Sequence, residues 1–312
     1  SEADVVAVAG EIEAILNRST FQARRIAAAP PVDRLVAELT DPRPDIVFNL
    51  IEGFAGSSAG EAWITSLLEL LGLRYTGCTP EAQGLCHQKA RTKALLRGFG
   101  LPTAPFLVVS PGASFEPSFP APYFVKPDAE DASLGIDQGS VVTDGEALAE
   151  RVALLRARFP GDVLIEAYLP GPEYNVGVLG LPDPIPLAVA EVVYDPKPGD
   201  WPILTYAAKW DVGSAEDLAS PIRCPAEIDP SLSAELARLA VAAFEATGCR
   251  DVARVDFRLD AEGRPMILEV NANPDLGPTA GWARALRASG RDYAETIAGL
   301  AERALIRGPR RG

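Results

Sequence analysis

The densest chemistry in this 312-residue chain lies between Val252 and Asn271. Two apolar-alternating stretches, Val252–Leu259 and Met266–Asn271, flank the turn-rich Asp260–Pro265, a pattern that predicts a β-hairpin. Alternation puts Val255, Phe257 and Leu259 on one face and Arg254 and Asp256 on the other, while Leu268 and Val270 oppose Glu269 and Asn271. A turn centred between Glu262 and Gly263 sets Asp256 across from Glu269 and Arg254 across from Asn271, bringing two carboxylates within about 5 Å. Like charges so close repel. Two carboxylates and an amide form an all-oxygen set suited to a hard cation such as Mg²⁺, whose shell is completed by water and phosphate oxygens. A solvated hairpin face with Arg254 as counter-ion explains the same residues, and from the hairpin alone both readings stand.

Lysine usage is the second signal. Among 29 basic residues only Lys89, Lys93, Lys126, Lys197 and Lys209 are lysines, so arginine fills the generic surface positions. Lys89, on a predicted helix, and Lys126, ending a predicted strand before a loop of small and acidic residues, could supply the positioned charge that phosphoryl transfer needs. Either one taken alone reads more simply as a solvated surface lysine. Val163–Glu173 offers extended backbone to an adenine edge, with Glu166 and Glu173 available to an amino group and a ribose; the alternative is a plain strand and turn.

Composition excludes several classes. A net charge of −14 opposes a phosphate backbone, so no nucleic-acid partner is expected. Cys78, Cys86, Cys224 and Cys249 show no C-x-x-C spacing, and His87 is the single histidine, which leaves no zinc set and no Ser-His-Asp or Cys-His machinery unless His87 is the base, and no nucleophile motif lies near it. The cysteines read as reduced filler residues. No apolar run is long enough for a membrane span and Ser1–Asp4 carries no secretory pattern, so the expectation is a soluble, cytoplasmic protein without a membrane partner.

The elements that must position these residues follow the order of an α/β protein. Helical spacing covers residues 3–16, Asp45–Asn49 reads as a short buried strand, and a glycine-rich loop, Glu52–Gly60, leads to a helix, Glu61–Leu71, and a further strand, Leu73–Thr76. That strand–loop–helix–strand order is a parallel unit. Its customary opening strand is absent, as if an N-terminal stretch were missing. A helix over Pro80–Gly100 precedes strands at Phe106–Val109, Tyr123–Lys126, Gly139–Val142 and Val163–Glu166, with a helix at Gly145–Phe159. Residues 195–230, rich in proline and carrying Trp201, Tyr206 and Trp210, read as a lid. Helices are expected at Ser231–Thr247 and within Gly281–Arg307.

Taken together, the stretches Phe48–Asn49, Tyr75–Gly77, Lys89 with Lys93, Leu101–Thr103, Val125–Pro127, Leu164–Glu166, Gly171–Glu173, Ala253–Asp256 and Leu268–Asn271 occur in the order and spacing of one family. The chain resembles the D-alanine-D-alanine ligase family of ATP-grasp enzymes, from about residue 45 onward, with a further match at Glu2. The resemblance implies an α/β chain with the ATP-grasp fold in three domains: an N-terminal Rossmann-like α/β domain, 1–79; a central α+β subdomain, 80–170; and a C-terminal α+β subdomain, 171–312, bearing the lid 195–230. It implies ATP and Mg²⁺ as cofactors, two magnesium ions with Mn²⁺ as a substitute, and a homodimer. Lys89, Lys126 and Ser133 would contact phosphates, Glu166 and Leu169 the adenine, and Glu173 the ribose. Asp256, Glu269 and Asn271 would hold the metal, Arg254 would stabilise the oxyanion, Lys209 would close over the γ-phosphate, and Glu2 would meet the first substrate. A carboxylate is activated as an acyl phosphate and joined to an amine.

The departures fall on substrate recognition. Ala132 stands in place of a serine, Trp210 of a lid tyrosine and Glu52 of a loop histidine, and Asp275–Ala280 replaces a serine-containing stretch. Lost hydrogen-bonding groups argue for a changed substrate. The alternatives are dipeptide synthesis for peptidoglycan, ligation of another amino acid or small carboxylate, a non-catalytic ATP-binding protein, and a phosphotransferase that releases the acyl phosphate.

Overall fold

The computed structural model describes residues 2–130, 133–210 and 219–308, with the side chains of residues 2–4 and 209–210 excepted. Helices α1 (Glu2–Arg18), α2 (Val32–Thr40) and α3 (Gly60–Leu70) open the chain. The expected strands at Asp45–Asn49 and Leu73–Thr76 reduce to one parallel bridge, Val47 to Tyr75, held by Val47 N–H to Arg74 O and Thr76 N–H to Val47 O. A single bridge is too short for a strand, but the parallel pairing is as expected.

The helix anticipated over Pro80–Gly100 is two helices, α4 (Pro80–His87) and α5 (Lys89–Gly98). Thr79 caps the first and Pro80 opens it, where a missing N–H costs nothing. Gln88 breaks the run with extended dihedrals, and Asp128 from a distant loop takes the new helix start: its Oδ1 accepts from Ala90 N–H at 2.7 Å and its carbonyl from Lys89 N–H at 3.3 Å. That tertiary cap turns Lys89 inward, where it is buried.

A four-stranded antiparallel sheet follows, β1 (Phe106–Val109), β2 (Tyr123–Pro127), β3 (Val141–Val142) and β4 (Val163–Ala167), in the order β1-β4-β2-β3, backed by α6 (Gly145–Arg158). Gly139 and Ser140, expected to begin β3, lie in a 3₁₀ turn, Gln138–Ser140, instead, because Asp137 and Ser140 make a reciprocal capping box. The second sheet holds β5 (Glu173–Gly180), β6 (Pro184–Pro186), β7 (Ala190–Val192), β8 (Ile222–Arg223), β9 (Val252–Leu259) and β10 (Pro265–Asn271), in the order β10-β9-β5-β7-β8 with β6 on β5. Its inner face, including Val176, Val255, Phe257, Ile267 and Val270, packs on Leu236, Leu239 and Ala243 of α8 (Pro230–Ala246). Each of the Val, Leu, Ile and Phe side chains among them contributes about 1.5–3 kcal/mol when fully buried.

Two helices, α9 (Gly281–Ala288) and α10 (Tyr293–Arg307), close the chain where one element had been expected. Ile12, Ile15 and Leu16 of α1 share a core with Leu179, Trp282 and Leu300, so the first helix packs with the last ones. The segment 195–230 contains a short helix, α7 (Tyr206–Trp210), and strand β8, and its end folds back on its start through Asp195 N–H to Ala219 O and Val193 N–H to Pro221 O. No helix of the described residues is long and apolar enough to cross a membrane.

Candidate active site

The hairpin pairs as its sequence predicts at the chemically important end: Glu269 faces Asp256 and Asn271 faces Arg254. Nearer the turn the register differs by one, Ile267 pairing with Phe257, and the change is absorbed by a bulge at Leu268. Leu268 therefore leaves the core face, and Ile267 joins Val270 as a buried residue in its place. On the other side of β9, Asn175 lies opposite Asp256, Gly177 opposite Arg254 and Glu173 opposite Arg258. One polar sheet face thus carries Glu173, Asn175, Arg254, Asp256, Arg258, Glu269 and Asn271.

Arg254 holds Asp256 in a two-pronged ion pair, Nε to Oδ1 and Nη2 to Oδ2, both at 2.7 Å. Burial alone would favour a neutral Arg254, but Asp256, helped by Glu269 and Glu173, outweighs it and raises the pKa of the guanidinium. Lys89 Nζ donates to Glu130 O at 2.5 Å and stands 3.8 Å from Glu269 Oε2. Asn271 Oδ1 accepts from Asn273 N–H at 2.8 Å. Both carboxylates are therefore met by cations, and the counter-ion role for Arg254 is the one seen here. Two carboxylates and an amide remain the oxygen donors available to a hard cation at this point.

Glu166 occupies the most demanding position. Only 3% exposed, it lies between two lysines, with Lys126 Nζ 2.7 Å from Oε2 and Lys93 Nζ 2.6 Å from Oε1. Burial would raise its pKa, but the two ammonium groups overcome this and hold the carboxyl at about 2. Lys93 also donates to Thr103 Oγ1 at 2.9 Å and to Ile267 O at 3.2 Å, tying α5 to β10; burial lowers its pKa. Its approach to Glu166 Oε1 is off the hydrogen-bonding direction, so that buried oxygen has no aligned donor among the described residues.

Glu173 receives Tyr194 OH at 2.8 Å and Arg258 Nη1 at 3.4 Å. Burial raises its pKa against those partners, with Asp256 and Glu269 adding to the rise. Arg258 is buried between the rings of Tyr168 and Tyr194 and reaches Gly171 O and Pro202 O. Residues 201–206 are stitched to the loop after β2: Gln138 and Trp201 exchange two hydrogen bonds, at 2.8 and 3.2 Å, and Tyr206 N–H donates to Ile136 O at 3.0 Å. Ser133 lies in that loop with a positive φ of 61°, and Leu169 is buried beyond β4. The side chains of Glu2, Lys209 and Trp210 and all of Ala132 lie outside the described residues.

An open cleft of about 2810 Å³ runs past Arg254, Glu269, Asn271, Glu130 and Tyr206 toward α1 and the loop at Glu52. The sequence model described as "D-ala D-ala ligase C-terminus" matches residues 95–302. The D-alanine--D-alanine ligase of Alcanivorax borkumensis is 35% identical over 88% of this chain and 85% of its own length.

The chain belongs to the D-alanine-D-alanine ligase family.

It is an ATP-grasp ligase, of a class that forms C–N bonds. The uncharacterized protein y4sG of Sinorhizobium fredii is a second relative, 33% identical over 82% of this chain and 73% of that protein. The fold matches the D-alanine--D-alanine ligase of Bacillus anthracis complexed with ATP, at 19% identity and a TM-score of 0.75 over 97% of this chain and 93% of that one. Within this ATP-grasp framework, sequence reasoning placed Lys93 in the family spacing without assigning it a partner, and passed over Asn175, Tyr194 and Arg258. Arg258 was accessible by extending the alternation of Arg254 and Asp256 by one step. Asn175 and Tyr194 carried no local signal.

Proposed function

We propose that the protein is an ATP- and magnesium-dependent carboxylate–amine ligase working through an acyl phosphate, with a dipeptide as product. The observation that carries this reading is the cross-strand pairing of Asp256 with Glu269 and of Arg254 with Asn271, with Lys89 3.8 Å from Glu269. In it, ATP lies between the central unit, 80–170, and the C-terminal unit, 171–312, next to the N-terminal unit 1–79, and residues 195–230 close over it. Lys89, Lys126 and Ser133 meet phosphate oxygens, Glu166 and Leu169 border the adenine, and Glu173 takes the ribose.

Asp256, Glu269 and Asn271 would hold Mg²⁺, two ions or Mn²⁺ in their stead, and the donor set fits. The bound cation supplies charge neutralisation at the transferring phosphoryl group. For Asp256 to serve as a ligand, Arg254 must release it, which frees the guanidinium for the reacting acyl group. The substrate carboxylate attacks the γ-phosphorus and ADP leaves; the amine then attacks the acyl carbon and phosphate departs. Arg254 hydrogen-bonds the oxyanion formed in that second step, a role worth about 10²–10³ in rate for a single donor. Lys209 closes on the γ-phosphate and Glu2 on the first substrate. A cytoplasmic location accompanies this reading, as does a homodimer, for which the exposed Trp63 and Leu70 on one side of α3 are the docking face.

A second reading, ligation of another amino acid or small carboxylate outside cell-wall synthesis, is favoured by Glu52 and Asp275, which bring negative charge to the substrate end of the cleft. The deciding experiment is phosphate release from ATP and Mg²⁺ with single D- and L-amino acids, products identified by mass. Wild-type protein is expected to release phosphate in step with an amide product, and Asp256→Asn to lose turnover. ADP without amide, or full activity in Asp256→Asn, would overturn the proposal.

A further inference from the structure

The two arginine–carboxylate pairs on the polar sheet face are built differently. Arg254 grips both oxygens of Asp256, each at 2.7 Å, whereas Arg258 touches one oxygen of Glu173, its Nη1 3.4 Å from Oε2. Tyr194 OH donates to that same Oε2 at 2.8 Å, so both protein donors converge on a single oxygen. Among the described residues nothing donates to Oε1, and the Glu173 side chain keeps 13% of its surface, so a ligand can reach it. A largely buried carboxylate with one oxygen clamped and the other free is an acceptor waiting for a donor.

The other donors of Arg258 fix that geometry. Its Nε donates to Gly171 O at 3.0 Å, and its Nη2 to Pro202 O and to Tyr168 OH, the latter at 3.3 Å. The turn before Glu173 is pinned to the same strand independently, by Gly171 N–H to Leu259 O and Leu259 N–H to Pro172 O, both at 3.0 Å. A Cβ on Gly171 would stand 2.6 Å from Leu259 Cβ, so this close approach requires glycine. Trp201 packs edge-on against Tyr168, ring centroids 5.1 Å apart, and brings the start of the segment 201–206 into the same assembly. One buried guanidinium therefore joins β9, the turn at 171–173 and Pro202 around a single carboxylate oxygen. That needs the planar fork of arginine, which a lysine ammonium lacks.

An ion pair that served only to neutralise Glu173 would gain most by taking both oxygens, as Arg254 does with Asp256. We propose that Arg258 is a positioning residue of the nucleotide site: by holding Glu173 through Oε2 alone it aims Oε1 at a ribose hydroxyl, and so sets a preference for ribonucleotide over deoxynucleotide. This rests on the assignment of Glu173 to the ribose in the ligase reading above. Arg258 acts through the carboxylate and not on the nucleotide directly.

The test is calorimetric titration of the full chain, with Mg²⁺, by ADP, 2′-deoxy-ADP and 3′-deoxy-ADP. Wild-type protein is expected to bind ADP at least about tenfold more tightly than one of the two deoxy analogues, because a hydroxyl donating to a charged acceptor is lost. In Arg258→Met that ratio should fall to about threefold or less, and in Arg258→Lys, which keeps the charge without the fork, it should lie between the two. A general loosening of the fold weakens all three nucleotides alike and leaves the ratio unmoved, so the ratio separates positioning from mere support. Should Arg258→Met fail to fold by circular dichroism, Arg258→Lys decides alone. A ratio as large as the wild-type one in the deciding variant overturns the proposal for Arg258. Glu173→Gln tests the ribose assignment separately and should abolish the ratio. A Glu173→Gln protein that keeps the ratio, equal binding of all three nucleotides by wild-type protein, or no binding at all would overturn the ribose assignment and the role of Arg258 together.

Discussion

Replacing Glu166 by Gln removes the one anion between Lys93 and Lys126 while conserving its shape. In the folded protein the carboxyl is held at about 2 against an ordinary 4.5, which at 1.36 kcal/mol per pKa unit amounts to about 3 kcal/mol of stability at neutral pH. The cost of breaking a buried ion pair by removing one partner, about 3–5 kcal/mol, agrees. Because total stability is about 5–15 kcal/mol, this one atom exchange should be plain in urea unfolding followed by tryptophan fluorescence. The sign with pH is fixed by the lowered folded pKa: the contribution is fully present above 4.5 and is lost as pH falls toward 2. The gap between wild type and Glu166→Gln should therefore be widest near neutrality and shrink below pH 4.5. A cycle with Lys93→Met should give a coupling of about 1 kcal/mol or more. A loss under 1 kcal/mol at pH 7, with additive single changes, would refute the view that the two lysines clamp this carboxylate.

Two further outcomes are expected. Asp251, 1% exposed, accepts from Gly77 N–H and from both terminal nitrogens of Arg307, so Asp251→Asn should lower stability by about 3 kcal/mol in the same unfolding assay. Trp63→Glu, on the exposed side of α3, should leave a monomer in sedimentation velocity if the proposed homodimer uses that face; an unchanged dimer would move the interface elsewhere.

Much of the candidate site was legible in the chain before any folding. Period-two alternation and a turn at Glu262–Gly263 are local, so they were sufficient to put Asp256 across from Glu269 and Arg254 across from Asn271. The scarcity of lysine likewise drew attention to Lys89 and Lys126, both of which are buried. Local reasoning failed where a partner far along the chain intervened. The helix break at Gln88 depends on Asp128, and the bulge at Leu268 shifts which residues fill the core without leaving a glycine or proline to announce it.

What the sequence by itself determined, then, is the set of outward and inward residues within each hairpin strand, since the backbone pleat enforces that alternation whatever surrounds it. Only the tertiary structure decided that Lys93 and Lys126 share Glu166 and that Lys93 reaches Ile267 across 174 residues. Those pairings arise when separate elements exclude water from a common space, and the energy of each depends on burial that no single segment possesses until the others have packed against it.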